Sequence, residues 1–303
     1  MKKTISYLLV GVAVLSVVTL DRCSKSDSPL PAINGYNSSN DVAKDNLLAH
    51  WTFDNVKTEA ISGIAPSLKD TASSYTTGVL GQALKLDSGY LKYPTITALS
   101  GASAIANCTV SAWVNVDNNG HYASSFFSLT QSDAVQADWN TGMISLFAET
   151  GHAVAYDDTL VLHGAFSSYP GGVWKGEMDN INDYGVRGTD FLTLKGAKKW
   201  VHYVLVYDGA ASTVDIYANG TVVSNSNFRV RQSGGVNIGP LVSTIPTQVL
   251  IGAFPTKATG YTNSPNQGWQ GRTRASIDDI RVFNKTLTAV EVGSLYQLGI
   301  AGR

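Results

Sequence analysis

The sequence predicts an all-β fold, in which two antiparallel sheets stack and one short helix follows near the C-terminus. Charged residues make up only 15% of the 303-residue chain and 29 residues are glycine, so the composition suits turn-rich sheets better than helices with charged faces. Short segments of alternating apolar residues recur along the chain and end at Asp, Asn or Gly. Because no helices alternate with them, these strands are expected to form a sandwich or jelly roll.

The first 22 residues are typical of a secretory signal peptide. Lys2 and Lys3 precede an uncharged stretch over residues 5–20, which is shorter than the ~20 residues that span a membrane comfortably. We therefore expect an exported protein.

Cys23 and the residues around it resemble a bacterial lipoprotein signal, and the charged residues that follow resemble those of surface lipoproteins in Bacteroidetes-like bacteria. We expect a lipid on Cys23 to attach the protein to the outer membrane or the cell surface. Asp21 and Arg22 stand where small residues are usual, which leaves cleavage elsewhere or an uncleaved anchor as the alternatives. The polar segment that follows predicts a lipidated N-terminus and flexible tether over residues 23–45.

The folded part begins at residue 46 and is predicted strand by strand from its alternation. In residues 109–116, for example, Val110, Ala112, Val114 and Val116 share one face. Asn219-Gly220 separates two such runs, and both residues tolerate the positive φ of a tight hairpin turn. Strands are predicted at 83–86, 109–116, 143–148, 152–156, 159–163, 200–207, 213–218 and 221–223.

Two other segments are predicted from local signals. Residues 167–188 lack a strand pattern and are expected to form a long irregular loop, which is uncommon unless it carries function. Thr288 with Glu291 three residues later forms a capping box, which predicts a short helix with Val292, Leu295 and Tyr296 on one face.

The order of these segments resembles a laminin-G-like jelly-roll domain of the concanavalin A-like lectin/glucanase superfamily. The resemblance covers roughly residues 46–299, so we assign residues 46–303 to one domain. The segments that carry it are LAHWTFD at 48–54, GVLGQAL at 78–84, TVSAWV at 109–114 and, most specifically, IDDIRVFNKTLT at 277–288.

The superfamily contains lectins, adhesion domains and hydrolases, so the fold alone does not give the function. The resemblance implies that a glycosidase of this superfamily carries Glu-x-Asp-x-x-Glu on a strand, where two carboxylates flank the sugar. In the nearest match, Glu177 and Asp179 occupy the first two acidic positions. Asn182 replaces the last Glu, and the segment is predicted to be a loop. We therefore expect no catalytic residues.

Calcium is a cofactor that the resemblance implies, because jelly rolls of this kind often bind a structural Ca²⁺ where the first and last strands meet. Asp54 ends the first strand and Asp278 and Asp279 lie in the last, and carboxylates are suitable ligands for this ion. Which of the last two would bind is left open. The alternative is that these carboxylates pair with Arg281, Arg274 or backbone N–H groups.

The six tryptophans fall into two classes. Three lie in predicted strands and are expected in the core: Trp51, Trp113 and Trp200. Three lie in Gly-, Asn- and Asp-rich segments, and with Tyr184 they are the candidate carbohydrate-binding residues: Trp139, Trp174 and Trp269. An aromatic platform surrounded by amides and carboxylates is what a sugar requires. The alternative is that each tryptophan anchors its own loop, and Tyr169 and Tyr261 are weaker candidates.

The sequence therefore favours an exported, non-catalytic binding module that takes a polysaccharide or glycoconjugate and is held to a membrane by its N-terminal lipid. A glycoside hydrolase or lyase, and a protein-binding adhesion module, are the alternatives. The net charge of −1 gives no reason to expect nucleic acid as a partner.

Overall fold

The computed structural model describes residues 30–67, 71–151 and 158–303. The elements below belong to one compact unit, residues 32–303. The described strands are β1 (Leu47–Trp51), β2 (Thr71–Thr77), β3 (Gln82–Tyr93), β4 (Cys108–Val116), β5 (Ser124–Gln131), β6 (Ile144–Ala148), β7 (Leu162–Ser168), β8 (Lys175–Ile181), β9 (Val201–Asp208), β10 (Thr213–Ala218), β11 (Thr221–Val222), β12 (Gln232–Ser233), β13 (Val236–Asn237), β14 (Thr247–Ile251) and β15 (Arg274–Phe283).

One α-helix, α1 (Ala289–Ile300), follows the last strand. Short 3-10 turns lie between the strands, at Ser39–Asp41, Lys44–Asn46, Thr97–Leu99, Trp139–Thr141, Pro170–Gly172, Ser226–Phe228 and Lys257–Thr259. None of the helices in the described ranges has the length and apolarity that a membrane span would need.

Thirteen of the described strands form two antiparallel sheets that are continuous through β3, which confirms the predicted two-sheet jelly roll, and β12 and β13 pair separately as a short hairpin. The first sheet has the order β11-β10-β9-β4-β15-β3, with β1 paired to β15 and β2 to β3. The second sheet has the order β3-β14-β5-β6-β7-β8. The long strand β3 pairs with β15 at its start, through Leu84 and Ile277, and with β14 at its end, through Leu91 and Ile251.

The core lies between the two sheets and follows the alternation read from the sequence. Val110, Ala112 and Val114 of β4 are fully buried in it and face Leu129 and Leu146 of the second sheet's inner side. Trp51 is also in this core, in edge-on contact with Tyr93 at 5.5 Å. Trp200 differs from the prediction, because it precedes β9 and is only half-buried.

The predicted hairpin and helix are both confirmed. Asn219 and Gly220 have φ angles of 51° and 79° and connect β10 to β11. At the helix start, Thr288 Oγ1 accepts from the Glu291 N–H at 3.2 Å and the Glu291 carboxylate accepts from the Thr288 N–H at 2.8 Å. The helix covers the outer face of the first sheet, where Trp113 stacks on Tyr296.

The predicted tether differs from the structure over its second half. Val42 is fully buried against the helix, and the Ser39 carbonyl accepts from Arg281 Nη1 at 2.9 Å. Residues from 32 onward therefore belong to the folded unit, because an apolar side chain and a buried guanidinium both find partners there. Residues 1–29, with the predicted signal peptide and the start of the tether, lie outside the described residues.

The segment predicted as a long loop over residues 167–188 contains a strand, which corrects that prediction. β8 pairs with β7 as the last strand of the second sheet. Its inward residues Met178 and Asn180 are buried, and Asn180 Nδ2 donates to the Val214 carbonyl at 2.8 Å. Polar residues on both faces concealed the alternation. Among the neighbouring predictions, the strand at 143–148 is confirmed by β6, the one at 159–163 is shifted to β7, and 152–156 lies outside the described residues.

Candidate functional site

Four aromatic side chains cluster on the outer face of the second sheet. Phe147 lies at the centre and points away from the core, because its neighbours in β6 point inward. Trp139, Phe254 and Trp269 come from two loops that fold over this face. The Trp139 ring is 5.2 Å from Trp269 and 5.5 Å from Phe147, nearly perpendicular to both. Such edge-to-face contacts hold each ring in a defined orientation. We call these four residues the outer aromatic cluster.

Hydrogen bonds connect the two loops that supply the tryptophans. Asp138 Oδ1 accepts from the Trp139 backbone N–H and from Gln267 Nε2, each at 2.7 Å. Gln267 Oε1 in turn accepts from Trp269 Nε1 at 2.7 Å. The indole of Trp139 is therefore positioned by the protein itself, before any ligand arrives.

A histidine held between two carboxylates lies next to this cluster. His163 of β7 contacts Glu149 Oε1 through Nδ1 at 2.8 Å and Asp179 Oδ2 through Nε2 at 2.9 Å, and its ring is 4.4 Å from that of Phe147. Burial acts to lower the pKa of His163, but the hydrogen bonds and charges of the two carboxylates outweigh it and raise the pKa above its ordinary value. The side chain is thus biased toward the imidazolium, which donates both N–H groups.

A cavity of about 520 Å³ opens between the aromatic and the charged groups. Its walls combine one indole with carboxylate, imidazole and amide groups, and its size is within the range of small-molecule sites. The residues that line it are Asp138, Trp139, Asn140, His163, Ala165, Phe166, Asp179 and Gln267. An apolar ring beside hydrogen-bonding groups is complementary to a sugar, which presents C–H faces and hydroxyls.

The structure brings three of the four predicted carbohydrate-binding residues into this region. Trp139 lines the cavity, whereas Trp269 holds its own loop against the sheet, as the alternative reading of the sequence allowed. Tyr184 is 51% exposed. Burial raises its pKa, and the charges of Glu149, Asp183 and Asp179 raise it further.

Trp174 lies at the rim rather than in the cavity. It is 43% exposed, and its Nε1 donates to Ser167 Oγ at 3.1 Å. Ser167 Oγ donates to the carbonyl of the cavity residue Asn140 at 2.6 Å. The indole lies across Gly176, where a Cβ would approach it to 1.9 Å. The weaker candidates are structural: Tyr261 is fully buried and Tyr169 donates to the Thr141 carbonyl.

Sequence reasoning missed the charged part of the site. No motif in the sequence marks His163, and Asp179 lies in the segment predicted to be a loop. The available signal was the alternation around His163, since its neighbours Leu162 and Gly164 face the core while His163 and Ala165 face outward. Nothing in the sequence indicated that Glu149, which follows β6, would reach the same histidine.

The predicted calcium ligands lie at a different place, where β15 meets the turn before β3. Asp278 is fully buried, and its Oδ2 accepts from the backbone N–H groups of Val79 and Leu80 at 2.8 and 2.9 Å. Its Oδ1 is buried without a hydrogen-bond partner among the described residues. Burial raises the pKa of Asp278 to about 7, and the charges of Asp279 and Asp54 contribute to the rise.

Asp54 binds the other side of the same turn. Its Oδ1 accepts from the Gln82 N–H at 2.7 Å. A Cβ at Gly78 would come within 2.4 Å of the Asp278 carboxylate, and one at Gly81 within 2.1 Å of the Asp54 carboxylate. Only glycine lets this turn approach both. A buried carboxylate oxygen without a partner, with a second carboxylate at the same turn, is a donor set that fits a hard cation.

The Asp279 carboxylate does not bind this turn; it pairs with other side chains. Its carboxylate accepts from Arg281 Nε at 2.9 Å and contacts His50 Nε2 at 2.6 Å. Burial would raise the pKa of Asp279, but Arg281 and His50 outweigh it and hold the pKa well below its usual range. Of the two candidates left open by the sequence, Asp278 is the one with a free oxygen. In the described ranges, no three His, Cys, Asp or Glu side chains group as a metal site, so carbonyl or water oxygens would have to complete the shell.

Of the two cysteines, one lies in the described part of the chain. Cys23, the predicted lipidation site, lies outside the described residues. Cys108 is fully buried, and burial raises the pKa of its thiol to about 12, so the thiolate that reacts or binds metal is disfavoured.

Comparison with known proteins supports the architecture. A laminin G family model, described as the concanavalin A-like lectin/glucanases superfamily, matches residues 87–293. A search of curated proteins gave no match.

Two solved structures share the fold at low sequence identity. The ligand-binding domain of botulinum neurotoxin serotype D, solved with N-acetylneuraminic acid, has a TM-score of 0.51 and 13% identity over 86% of this chain and 52% of that one. The binding domain of Paraclostridial Mosquitocidal Protein 1 has a TM-score of 0.51 and 13% identity over 84% of this chain and 52% of that one. The chain thus spans about half the length of each.

Proposed function

Because the chain belongs to the laminin G family of the concanavalin A-like lectin/glucanase superfamily, we propose that it is a non-catalytic carbohydrate-binding module. The observation that carries the proposal is the cavity beside the outer aromatic cluster, where Trp139 faces His163 and Asp179. The similar toxin domain solved with N-acetylneuraminic acid makes a glycan ligand a reasonable class to test first.

The groups in the cavity have separate roles in binding a sugar. The Trp139 indole supplies an apolar surface for C–H groups, and the edge-to-face contacts keep it in place. Asp179, whose side chain is 37% exposed, keeps lone pairs that can accept from hydroxyls. Both ring nitrogens of His163 contact carboxylates, so it orients Asp179 rather than binding the ligand itself.

The test is binding of the purified protein to a panel of neutral polysaccharides by affinity electrophoresis, followed by calorimetry on the best ligand. Trp139→Ala is expected to weaken binding by at least about tenfold, which corresponds to ~1.4 kcal/mol. Trp139→Phe is the matched control, since it keeps an aromatic ring against Phe147. Binding that is unaffected by Trp139→Ala, or no binding to any polysaccharide, would refute the proposal.

A glycoside hydrolase is the second candidate, because one observation favours it more than the sequence did. Asp179 lies on a strand rather than in a loop, and Glu149 lies on the other side of the same histidine. A glycosidase needs a pair of carboxylates; Asp179 lines the cavity, and Glu149 contacts the opposite nitrogen of His163 without lining it. Release of reducing sugar that disappears in Asp179→Asn and Glu149→Gln, with folding intact, would establish this activity in place of simple binding.

We also propose that the protein binds a structural Ca²⁺ through Asp54 and Asp278. The support is the partnerless buried Oδ1 of Asp278 next to a second carboxylate. A bound cation would supply the positive charge that allows both carboxylates to stay ionised. Calcium is expected to raise the melting temperature of the wild-type protein, and EDTA to reverse the effect. Asp278→Asn should remove the response, while Asp87→Asn, on the exposed surface, should retain it.

Export and lipid attachment at Cys23 complete the proposal, on the strength of the N-terminal sequence alone. Metabolic labelling with a radioactive fatty acid in a bacterial host tests it. Labelled wild-type protein and unlabelled Cys23→Ala are the expected results, and equal labelling of the two would contradict the assignment.

A further inference from the structure

We propose that a second cavity, separate from the one beside Trp139, binds a carboxylated sugar such as a uronic or sialic acid. The cavity has a volume of about 790 Å³ and lies between the loop that joins β4 to β5 and the residues just before β15. The residues that carry the proposal are Tyr122, Gln270 and Arg272, and none of them belongs to the first cavity.

Tyr122 provides an exposed ring on a loop that is held rigidly. The side chain is 49% exposed. Asn119 Oδ1 accepts from the backbone N–H groups of His121 and Tyr122 at 2.8 and 2.7 Å, and Asn119 Nδ2 donates to the Tyr122 carbonyl at 2.8 Å. A Cβ at Gly271 would come within 2.7 Å of the Tyr122 Cβ, so the segment before β15 also packs closely against Tyr122. The ring is therefore a preorganised apolar surface, which suits the C–H face of a sugar.

Arg272 provides a positive charge without a carboxylate partner among the described residues. It is exposed, its guanidinium lies 5.6 Å from the Tyr90 ring, and it makes one long contact of 3.4 Å to the Ala258 carbonyl. A guanidinium in this state can bind a carboxylate with two parallel hydrogen bonds.

The other charged residues of the cavity wall are already paired. Asp117 lies 3.4 Å from Lys198, and Arg274 lies 3.2 Å from Asp87. Arg272 is thus the charge in this wall that remains to be balanced, which makes an anionic ligand favourable. Among the described residues that line the first cavity there is no Lys or Arg, and the neighbouring Arg231 lies 3.6 Å from the Asp179 carboxylate.

Gln270 lines the same cavity and carries an unused donor. Its Nε2 is buried and has no hydrogen-bond partner among the described residues, while its Oε1 accepts from the Gln267 N–H at 3.0 Å. A buried amide N–H without a partner is costly, so a ligand oxygen that accepts from it is stabilising. Ring, guanidinium and amide together match the C–H face, carboxylate and hydroxyls of an acidic sugar.

The experiment is calorimetry of the full-length protein with two acidic sugars and their neutral counterparts: trigalacturonic acid against galactotriose, and 3′-sialyllactose against lactose. At least one acidic sugar is expected to bind about tenfold or more tightly than its counterpart, since a charge-assisted contact contributes at this level. Which pair shows the difference identifies a uronic or a sialic acid. Equal affinity within both pairs, or no binding of either acidic sugar, would overturn the proposal.

Variants separate this site from the first. Arg272→Gln and Tyr122→Ala are each expected to weaken binding of the acidic sugar about tenfold. Arg229→Gln, which changes an arginine paired with Asp215 outside both cavities, and Trp139→Ala, in the other cavity, are expected to leave it unchanged. If Trp139→Ala abolishes binding of the acidic sugar while Arg272→Gln has no effect, the acidic sugar occupies the first cavity and this proposal fails, whereas the proposed function stands.

Discussion

His163 determines the charge state of the proposed binding cavity. It lies on the outer face of a strand whose alternate residues fill the core, and two carboxylates meet its two ring nitrogens. Because both nitrogens are engaged, the free hydrogen-bonding capacity of the cavity belongs to the carboxylates and amides around it. The histidine holds both carboxylates in position.

The pKa of His163 should therefore depend on Asp179. In a folded-state NMR titration, the pKa is expected above the ~6.5 of a free histidine, and Asp179→Asn should lower it. Because the folded-state pKa is raised, the stabilisation from this proton is fully present below pH ~6.5 and is lost as the pH rises through the folded-state value. Denaturant titrations across that window should show this loss in wild type but a smaller one in Asp179→Asn. A pKa that does not change in Asp179→Asn would contradict the geometry.

The buried contact of Asp279 with Arg281 and His50 serves stability rather than ligand binding. Arg281 is almost completely buried, and it also reaches the Ser39 carbonyl. Removing one member leaves an uncompensated buried charge, so Asp279→Ala is expected to lower the free energy of unfolding by about 3–5 kcal/mol. Asp87→Ala, which removes an exposed partner of Arg274, should cost only about 0–1 kcal/mol. Equal effects of the two in urea denaturation would refute this assignment.

At the scale of elements, the sequence was informative where one face of a strand is apolar and the other polar. The alternation of β4, the Asn219-Gly220 turn and the Thr288 capping box each specify a local structure, and all three are observed. β8 was not predicted as a strand because its inward residue Asn180 is polar. Its side chain donates a hydrogen bond to the other sheet. That partner is brought close only by the tertiary fold, so local pattern could not reveal it.

The candidate site was predictable to a similar extent. Trp139 was predicted to bind carbohydrate because it lies in a polar segment rather than in a predicted strand. The residues that line the cavity with it, His163 and Asp179, come from β7 and β8 and meet only once the second sheet has formed. The same is true of Asp54 and Asp278, which the family resemblance associated and which bind one turn in the structure.

The segment before β1 is expected to contribute to the free energy of unfolding. A protein that begins at Asn46 lacks the buried Val42 and the Ser39 contact with Arg281. Compared with one that begins at Ala32, it is expected to have a free energy of unfolding lower by about 2–4 kcal/mol, from lost apolar burial and hydrogen bonds. Chemical denaturation measures the difference. Equal stability would show that residues 32–45 behave as the tether that their composition suggested.

For the whole molecule, the two sheets have different roles on their outer faces. The helix seals the outer face of the first sheet through Val292, Leu295 and Leu298. On the second sheet, two loops cover only part of the face and leave the cavity beside Trp139 open. The fold thus supplies a rigid core that positions groups from separate strands and loops around one cavity, as a binding module requires.

The most direct test of this account is a crystal structure of the protein with an oligosaccharide fragment of the polysaccharide that it binds most tightly. The account predicts a sugar ring against the Trp139 indole, with a hydroxyl that donates to Asp179. A fragment bound elsewhere, with the cavity beside Trp139 holding only solvent, would contradict it.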